Sequence, residues 1–330
     1  MKQMIFFTIL NVFLFSSCSK NKESLTFEPS YSLYVLLPTQ GFGDRSFVDD
    51  IYEGVEAAAL NVNFEVDYIV PETLEEAGQW LSNFIGSTQK PSLIIVAGNQ
   101  FTDIVNAFQG QLNGHKILLF EGIADEYEGV ASVFFHTYAP SYIAGYLSAN
   151  LIDNCRATSI SGFDTPFLQE YIEGFEQGVN DAGGTINNRY FLSDDFDGFE
   201  MPDSAYSLTK KLLTDYNLIY GLASGSNYGI VNAARDYPEQ RYVIGVWSDQ
   251  SWMGLNVVSG SVINLFSQTI ADYTKAFNRG DFNSGSFYLS MEDNSTTFLM
   301  NANVMGNNLE IPDDLLIKAI QKEKDYLLNN

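Results

Sequence analysis

Short apolar runs alternate with amphipathic stretches along the first part of the chain. The β-rich runs are Tyr31 to Leu37, Phe64 to Val70, Leu93 to Ala97, Ile117 to Phe120 and Val130 to Phe135. Between them, apolar residues recur at helical spacing in three stretches, Ser46 to Leu60, Leu74 to Ile85 and Phe101 to Gln111. Strands that alternate with helices predict right-handed βαβ units and a parallel sheet covered on both faces.

The same alternation then begins again. Predicted helices cover Pro140 to Ile152, Phe167 to Asp181, Ser204 to Tyr216 and Tyr228 to Asp236. Predicted strands cover Ala157 to Ser161, Arg189 to Leu192, Leu218 to Ala223 and Tyr242 to Trp247. Two successive halves of this kind predict an α/β protein with two doubly wound parallel-sheet lobes.

The last third of the chain departs from this rhythm. It contains a strand candidate, a helix, a region of strand and turn, and an amphipathic helix, at Val257 to Val262, Leu265 to Phe277, Ser284 to Met300 and Asp313 to Leu328. Such a tail suits segments that cross between the lobes. We therefore expect an N-terminal lobe at 31–137, a C-terminal lobe at 138–256, and hinge crossings with C-terminal helices at 257–330, part of which returns to the first lobe.

The N-terminus carries the features of an export signal. Lys2 precedes an apolar run from Met4 to Phe15, and two serines stand before Cys18. The run is too short to remain as a membrane-spanning helix, and small residues beside a cysteine suit a processing site. The segment resembles a bacterial lipoprotein signal, although a buried N-terminal helix is the alternative. The resemblance implies a signal peptide at 1–18, a lipidated Cys18, a tether at 19–30 and a body anchored to a membrane of the cell envelope.

Composition narrows the function classes. The formal net charge of −24 argues against a nucleic-acid partner, because phosphate binding needs a basic patch. If Cys18 is acylated, Cys155 remains as a lone thiol, which we expect to be a small packing residue. The two histidines lack the spacing of a zinc site, and neither a phosphate-binding loop nor a G-x-S-x-G elbow is present. We therefore expect neither metal, cofactor nor catalytic residues.

The loops that follow the predicted strands mix glycine or serine with acids, amides and aromatic residues. Ligands of open α/β sheets bind beyond the carboxyl ends of the strands, where these loops meet. Aromatic faces stack on flat rings, while carboxylates and amides accept or share hydrogen bonds from hydroxyl groups. The mixture predicts a small neutral ligand, with candidate contacts at Phe42, Asp44, Phe47, Asn99, Glu121, Gly225, Trp247 and Asp249.

Each candidate also has a purely structural interpretation. Asp44 can cap the helix that begins near Ser46, and it can do so while also contacting a ligand. Phe47 can belong to the core, Asp249 can lie on the rim, and Glu121 can simply close a turn. The pattern alone leaves these alternatives open.

Five stretches in order carry a family resemblance. They are GFGDRSFVDDIYEGVEAA from Gly41, YIAGYL from Tyr142, EGFEQG from Glu173, ASGSNYG from Ala223 and VIGVWSDQ from Val243. Together they resemble the basic membrane protein family of lipoproteins, the substrate-binding proteins of ABC transporters with the type I periplasmic-binding fold. The resemblance implies a nucleoside-like ligand and a transporter permease as partner. It also implies that Phe47 stacks on a base.

The chain departs from that family at three contact positions, the first of which is Val48, where the family often has an asparagine. Trp247 stands where the family has the first acid of a strand-end motif, and Asn264 stands where a lysine is common. The leading hypothesis is a lipid-anchored receptor that closes on a small neutral ligand, most simply a nucleoside, and delivers it to an ABC permease. A sensory lipoprotein without transport, or an enzyme acting on nucleosides or sugars, are the alternatives.

Overall fold

A computed structural model describes residues 32–62, 64–87, 90–306 and 310–329. The expected signal peptide, Cys18 and the tether lie outside the described residues. Two six-stranded sheets form the framework. Within the described ranges, no helix combines the length and the apolar character needed to cross a membrane.

The first sheet has the strand order β11-β5-β4-β3-β1-β2, and all of its pairings are parallel. Its strands are β1 (Ser32–Leu36), β2 (Glu65–Ile69), β3 (Leu93–Ala97), β4 (Lys116–Phe120), β5 (Val130–Phe135) and β11 (Gly285–Leu289). The helices that follow its strands are α1 (Phe47–Val62), α2 (Leu74–Ser87) and α3 (Thr102–Asn106). Helix α8 (Phe266–Arg279), from the tail, packs on α1 in the same lobe.

The second sheet has the order β12-β10-β9-β8-β6-β7, and only its β12 pairing is antiparallel. Its strands are β6 (Arg156–Ser161), β7 (Thr185–Phe191), β8 (Leu218–Leu222), β9 (Tyr242–Trp247), β10 (Val258–Asn264) and β12 (Thr296–Met300). Its helices are α4 (Tyr138–Asn150), α5 (Gln169–Asp181), α6 (Pro202–Leu212), α7 (Asn227–Arg235), α9 (Ala302–Met305) and α10 (Asp313–Asn329).

Each sheet is buried on both faces, as the near-continuous apolar strands predict. All five residues of β3 and of β8 are buried. The two-lobed α/β prediction is confirmed by this arrangement. The described chain passes between the sheets three times, after β5, after β10 and between β11 and β12. Because β10 belongs to the second sheet, that lobe extends to Asn264 rather than ending at residue 256.

Two predicted elements differ from the structure. The expected helix from Phe101 to Gln111 is a 3₁₀ turn at Asn99–Phe101 followed by the short α3. It ends early because the chain turns toward Gly110, which has a positive φ of 73°. Strand β7 begins four residues before the predicted start at Arg189. β7 is a largely polar edge strand, so the pattern of hydrophobic residues does not predict its first half.

Candidate ligand-binding cleft

A cleft lies between the lobes, at the carboxyl ends of strands from both sheets. Its volume is about 580 Å³ when the space open to solvent is included. The first lobe lines it with Pro38, Gln40, Asp44, Phe47, Val48, Gly98, Asn99, Gln100 and Glu121, and the second with Phe167, Phe196, Phe199, Glu200, Ser224 and Trp247. This is where an open α/β sheet places its ligand.

Asp44 holds the first turn of α1. Its Oδ1 accepts hydrogen bonds from the backbone N–H groups of Ser46 and Asp49, and its Oδ2 accepts one from that of Val48. The hydroxyl of Ser224, in the other lobe, donates a fourth at 2.8 Å. Burial raises the pKa of Asp44, although these four donors favour its charged form. With about four lone-pair sites in a carboxylate, Asp44 has little capacity left for a ligand.

Hydrogen bonds join the lobes across the mouth of the cleft. The Ser46 hydroxyl donates to the carbonyl oxygen of Val246 at 3.1 Å. The Ser248 hydroxyl donates to the carbonyl oxygen of Arg45 at 3.0 Å. Together with the bond between Ser224 and Asp44, they tie the loop before α1 to the loops after β8 and β9. The structure therefore shows the lobes closed on each other.

Aromatic rings from both lobes meet around Trp247. The ring centroid of Phe47 lies 6.5 Å from that of Trp247 and 5.2 Å from that of Phe266. Phe167 stacks nearly parallel to Trp247 at 6.4 Å, and Phe199 contacts it edge-on at 6.0 Å. Phe47 is thus partly buried against the core and also lines the cleft.

Glu121 is the second buried acid of the cleft, in addition to Asp44. It is 7 % exposed, and its Oε1 accepts a hydrogen bond from the Asn264 amide at 3.0 Å. The same amide donates to the Tyr171 hydroxyl, which also hydrogen-bonds the Trp247 side chain. Burial raises the pKa of Glu121 to about 8, with a smaller contribution from the negative charge of Glu170. At neutral pH this side chain is therefore mostly a neutral carboxylic acid.

Backbone strain concentrates at this cleft. Arg45, Glu121, Ser224 and Trp247 all have positive φ, of 52°, 59°, 47° and 67°. Such conformations cost of order 1–3 kcal/mol for residues other than glycine and persist only where the surroundings enforce them. Three of these four residues line the cleft. Clustered strain of this kind is typical of ligand clamps.

Four of the predicted contacts do not line the cleft. Phe42 is 50 % exposed and packs edge-on against Tyr52 and Tyr68. Asp249 is exposed and accepts a hydrogen bond from the backbone N–H of Ser251. Asn264 lies behind Glu121. Gly225 lies at the contact between the lobes, where an added Cβ would be 3.2 Å from the Phe199 carbonyl oxygen and 3.7 Å from Asp44 Cα.

The other five, Asp44, Phe47, Asn99, Glu121 and Trp247, are brought together in the lining. Several lining residues were not predicted. Phe196 and Phe199 lie in the acid-rich stretch Ser193 to Glu200, and the two phenylalanines three residues apart are the signal for a buried turn there. Ser224 stands beside the predicted Gly225, and no local pattern marks it because its partner Asp44 is 180 residues away.

The comparisons with known proteins agree with this architecture. Residues 32–321 match the Bmp family, described as ABC transporter substrate-binding protein PnrA-like. The chain is 20 % identical to basic membrane protein A2 of Borrelia garinii subsp. bavariensis, over 98 % of this chain and 95 % of that protein. It is also 20 % identical to an uncharacterized lipoprotein of Pyrococcus abyssi, over 84 % of this chain and 70 % of that one.

A solved structure shares the fold. The solute-binding protein of an ABC transporter system from Aeropyrum pernix K1 superposes with a TM-score of 0.74 at 18 % identity, covering 90 % of this chain and 86 % of that one. The family match spans both lobes and the cleft between them. The chain therefore belongs to the PnrA-like family of ABC transporter substrate-binding proteins, whose members bind solutes and are not enzymes.

Proposed function

We propose that this protein is a lipid-anchored receptor that closes on one small neutral ligand with a flat ring, of the nucleoside class, and delivers it to an ABC permease. The observation that carries the proposal is the composition of the cleft. Among the described residues that line it, five carry aromatic side chains and none is a lysine or an arginine. A cleft of this kind suits stacking on an uncharged ring better than binding of an anion.

Closure of the two lobes is the change in the receptor that reports a bound ligand. A ligand that touches both lobes favours the closed form over the open one, because it makes contacts in the closed form that are lost on opening. The crossings after β5, after β10 and before β12 are the natural hinge, since they are the three connections between the sheets within the described part of the chain. A permease would then distinguish loaded from empty receptor by the relative placement of the lobes.

The ligand proposal is tested by calorimetric titration of the purified protein with nucleosides and monosaccharides. Saturable heat with at least one ringed neutral compound supports it. The absence of heat throughout the panel, together with a different solute found by mass spectrometry in protein purified without denaturation, would overturn the ligand class. That result would not contradict the conclusion that the protein binds a solute.

The anchor is tested at the two cysteines of the chain. Cys18→Ala should abolish incorporation of labelled fatty acid and release the protein from the membrane fraction, because a lipid chain supplies most of the membrane affinity. Cys155→Ala is the matched control, since Cys155 is buried in the fold and should leave labelling unchanged. Labelling that survives Cys18→Ala would contradict the anchor.

A further inference from the structure

The polar groups of the cleft differ between its two lobes. Apart from Asp44, those of the first lobe are the amides of Gln40, Asn99 and Gln100 and the carboxyl of Glu121. Those three amides make no side-chain hydrogen bond to any residue that the structure describes. The second lobe offers mainly rings. The cleft thus combines unpaired amides with an aromatic wall.

Ionised carboxylates that could accept hydrogen bonds from sugar hydroxyls are scarce in this cleft, which leaves the amide oxygens of Gln40, Asn99 and Gln100 as its main acceptors. A pentose or hexose presents several hydroxyl donors, and each one buried without an acceptor costs binding free energy. The four donors on Asp44 fill its carboxylate, and Asp249 lies outside the lining. Glu200 is exposed. Since Glu121 is a neutral acid, no fully buried carboxylate with free lone pairs faces the cleft among the described residues.

A neutral carboxyl group is matched by different ligand groups from those that match an ionised carboxylate. It presents an O–H donor beside a carbonyl acceptor, and a side-chain amide presents the same pair of groups. The edge of a nitrogen heterocycle, with a ring N–H next to a carbonyl or a ring nitrogen next to an amino group, matches such a pair. Glu121 is fixed for this role by the Asn264 amide at its Oε1 and by the backbone N–H of Phe135.

We infer that the cleft recognises a planar neutral nitrogen heterocycle by its ring alone, with Glu121 and the amides of Asn99 and Gln100 meeting the donor and acceptor edge, and that an attached sugar adds no affinity. The inference rests on the proposed function and narrows its ligand from nucleosides to nucleobase-like compounds. Glu121 is then the residue that determines specificity.

The test is a calorimetric comparison of matched pairs on the purified protein at pH 7. The pairs are adenine with adenosine, hypoxanthine with inosine and uracil with uridine, and D-ribose is titrated alone. We expect at least one free base to bind ten-fold or more tightly than its nucleoside, and ribose to give no heat. Nucleosides that bind as tightly as their bases in every pair overturn this inference but leave the proposed function standing. Absence of heat with every compound of the panel overturns this inference, and it overturns the proposed ligand class as well when mass spectrometry finds a different solute in protein purified without denaturation.

The role of Glu121 is tested separately with the base that binds. Glu121→Gln keeps a donor beside an acceptor and should retain affinity within about three-fold. Glu121→Ala removes both and should lose ten-fold or more. Asp249→Asn, an exposed acid outside the lining, is the control and should leave affinity unchanged. Thermal melting of each variant shows that it is folded. Equal affinity of wild type and Glu121→Ala overturns the role of Glu121, and so does a Gln variant as weak as the Ala variant.

Discussion

Burial determines what the acidic side chains of the cleft can do. Asp44 and Glu121 are both buried acids of the first lobe, but four donors surround the first and only the Asn264 amide and one backbone N–H reach the second. The sequence predicted both as candidate contacts. It could not predict the protonation of Glu121, because that depends on burial among elements distant in the chain, including an amide 143 residues away.

The raised pKa of Glu121 predicts a specific dependence of stability on pH. The folded protein keeps the proton up to about pH 8, whereas the unfolded chain loses it near the ordinary value of 4.5. The contribution is therefore fully present below pH 4.5 and is lost as the pH rises through 8. Glu121→Gln cannot ionise, so relative to wild type its free energy of unfolding should rise between pH 4 and pH 9 by several kcal/mol, up to about 5 kcal/mol.

Urea unfolding at pH 4, 7 and 9 measures this difference. Glu170 and Tyr171 of α5 interact electrostatically with Glu121, and the acids Asp44 and Glu200 line the same cleft; all four remain in both proteins. Their own titration largely cancels in the comparison. A gap between variant and wild type that stays constant from pH 4 to pH 9 would show that folding does not raise the pKa of Glu121.

At the scale of elements, the sequence motifs that carried the family resemblance divide into two kinds. The loop before α1 and the end of β9 line the cleft. The glycines of α4 and α5 instead let these helices pack in close contact: a Cβ at Gly178 would lie 2.1 Å from the Tyr142 carbonyl oxygen, and one at Gly174 would lie 2.3 Å from that of Tyr138. Helical periodicity predicted both helices. It could not predict that these positions require glycine, because the requirement comes from the close approach of the partner helix.

This packing predicts opposite outcomes for two helical glycines. Gly178→Ala should destabilise the protein by about 1–3 kcal/mol, because the helices must separate to admit the methyl group. Gly78→Ala in α2 is the matched control. Its nearest neighbour would be Ile104 at 3.9 Å, so the gain in helix propensity should leave it neutral or up to about 1 kcal/mol more stable. Urea denaturation checks both, and a Gly178→Ala variant as stable as wild type would contradict the packing account.

At the scale of the whole molecule, the alternation of strands and helices was sufficient to predict two lobes and a tail that crosses between them. It did not predict which sheet receives each strand of the tail. β11 joins the first sheet in parallel and β12 joins the second in the antiparallel sense, although only six residues separate them. Strand partners are chosen by contacts distant in sequence, so local pattern could not determine them.

Because hydrogen bonds join the lobes, we predict that removing one of them destabilises the closed form without changing the packing of the core. Ser224→Ala removes the hydroxyl that reaches Asp44 and should cost the closed form about 1 kcal/mol, or roughly five-fold in ligand affinity. Ser193→Ala is the control, because Ser193 donates to Asp195 at the same 2.8 Å within one loop of the second lobe.

Small-angle scattering of both variants with and without ligand checks the effect on lobe position. Ser224→Ala should show a larger radius of gyration than wild type when no ligand is present, and ligand should reverse the change. Identical curves and affinities for both serine variants would mean that the bond between Ser224 and Asp44 does not hold the lobes together.

The central claim is that a ringed solute binds between the lobes, and calorimetric titration of two phenylalanine variants of one loop tests it most directly. Phe47 lines the cleft, whereas Phe42, five residues earlier, lies outside it. With a ring compound that wild type binds, Phe47→Ala should lose about 1–3 kcal/mol of binding, the usual value of one aromatic stacking contact, and Phe42→Ala should bind as wild type does. Equal losses in both variants, or unchanged binding in Phe47→Ala, would contradict the claim.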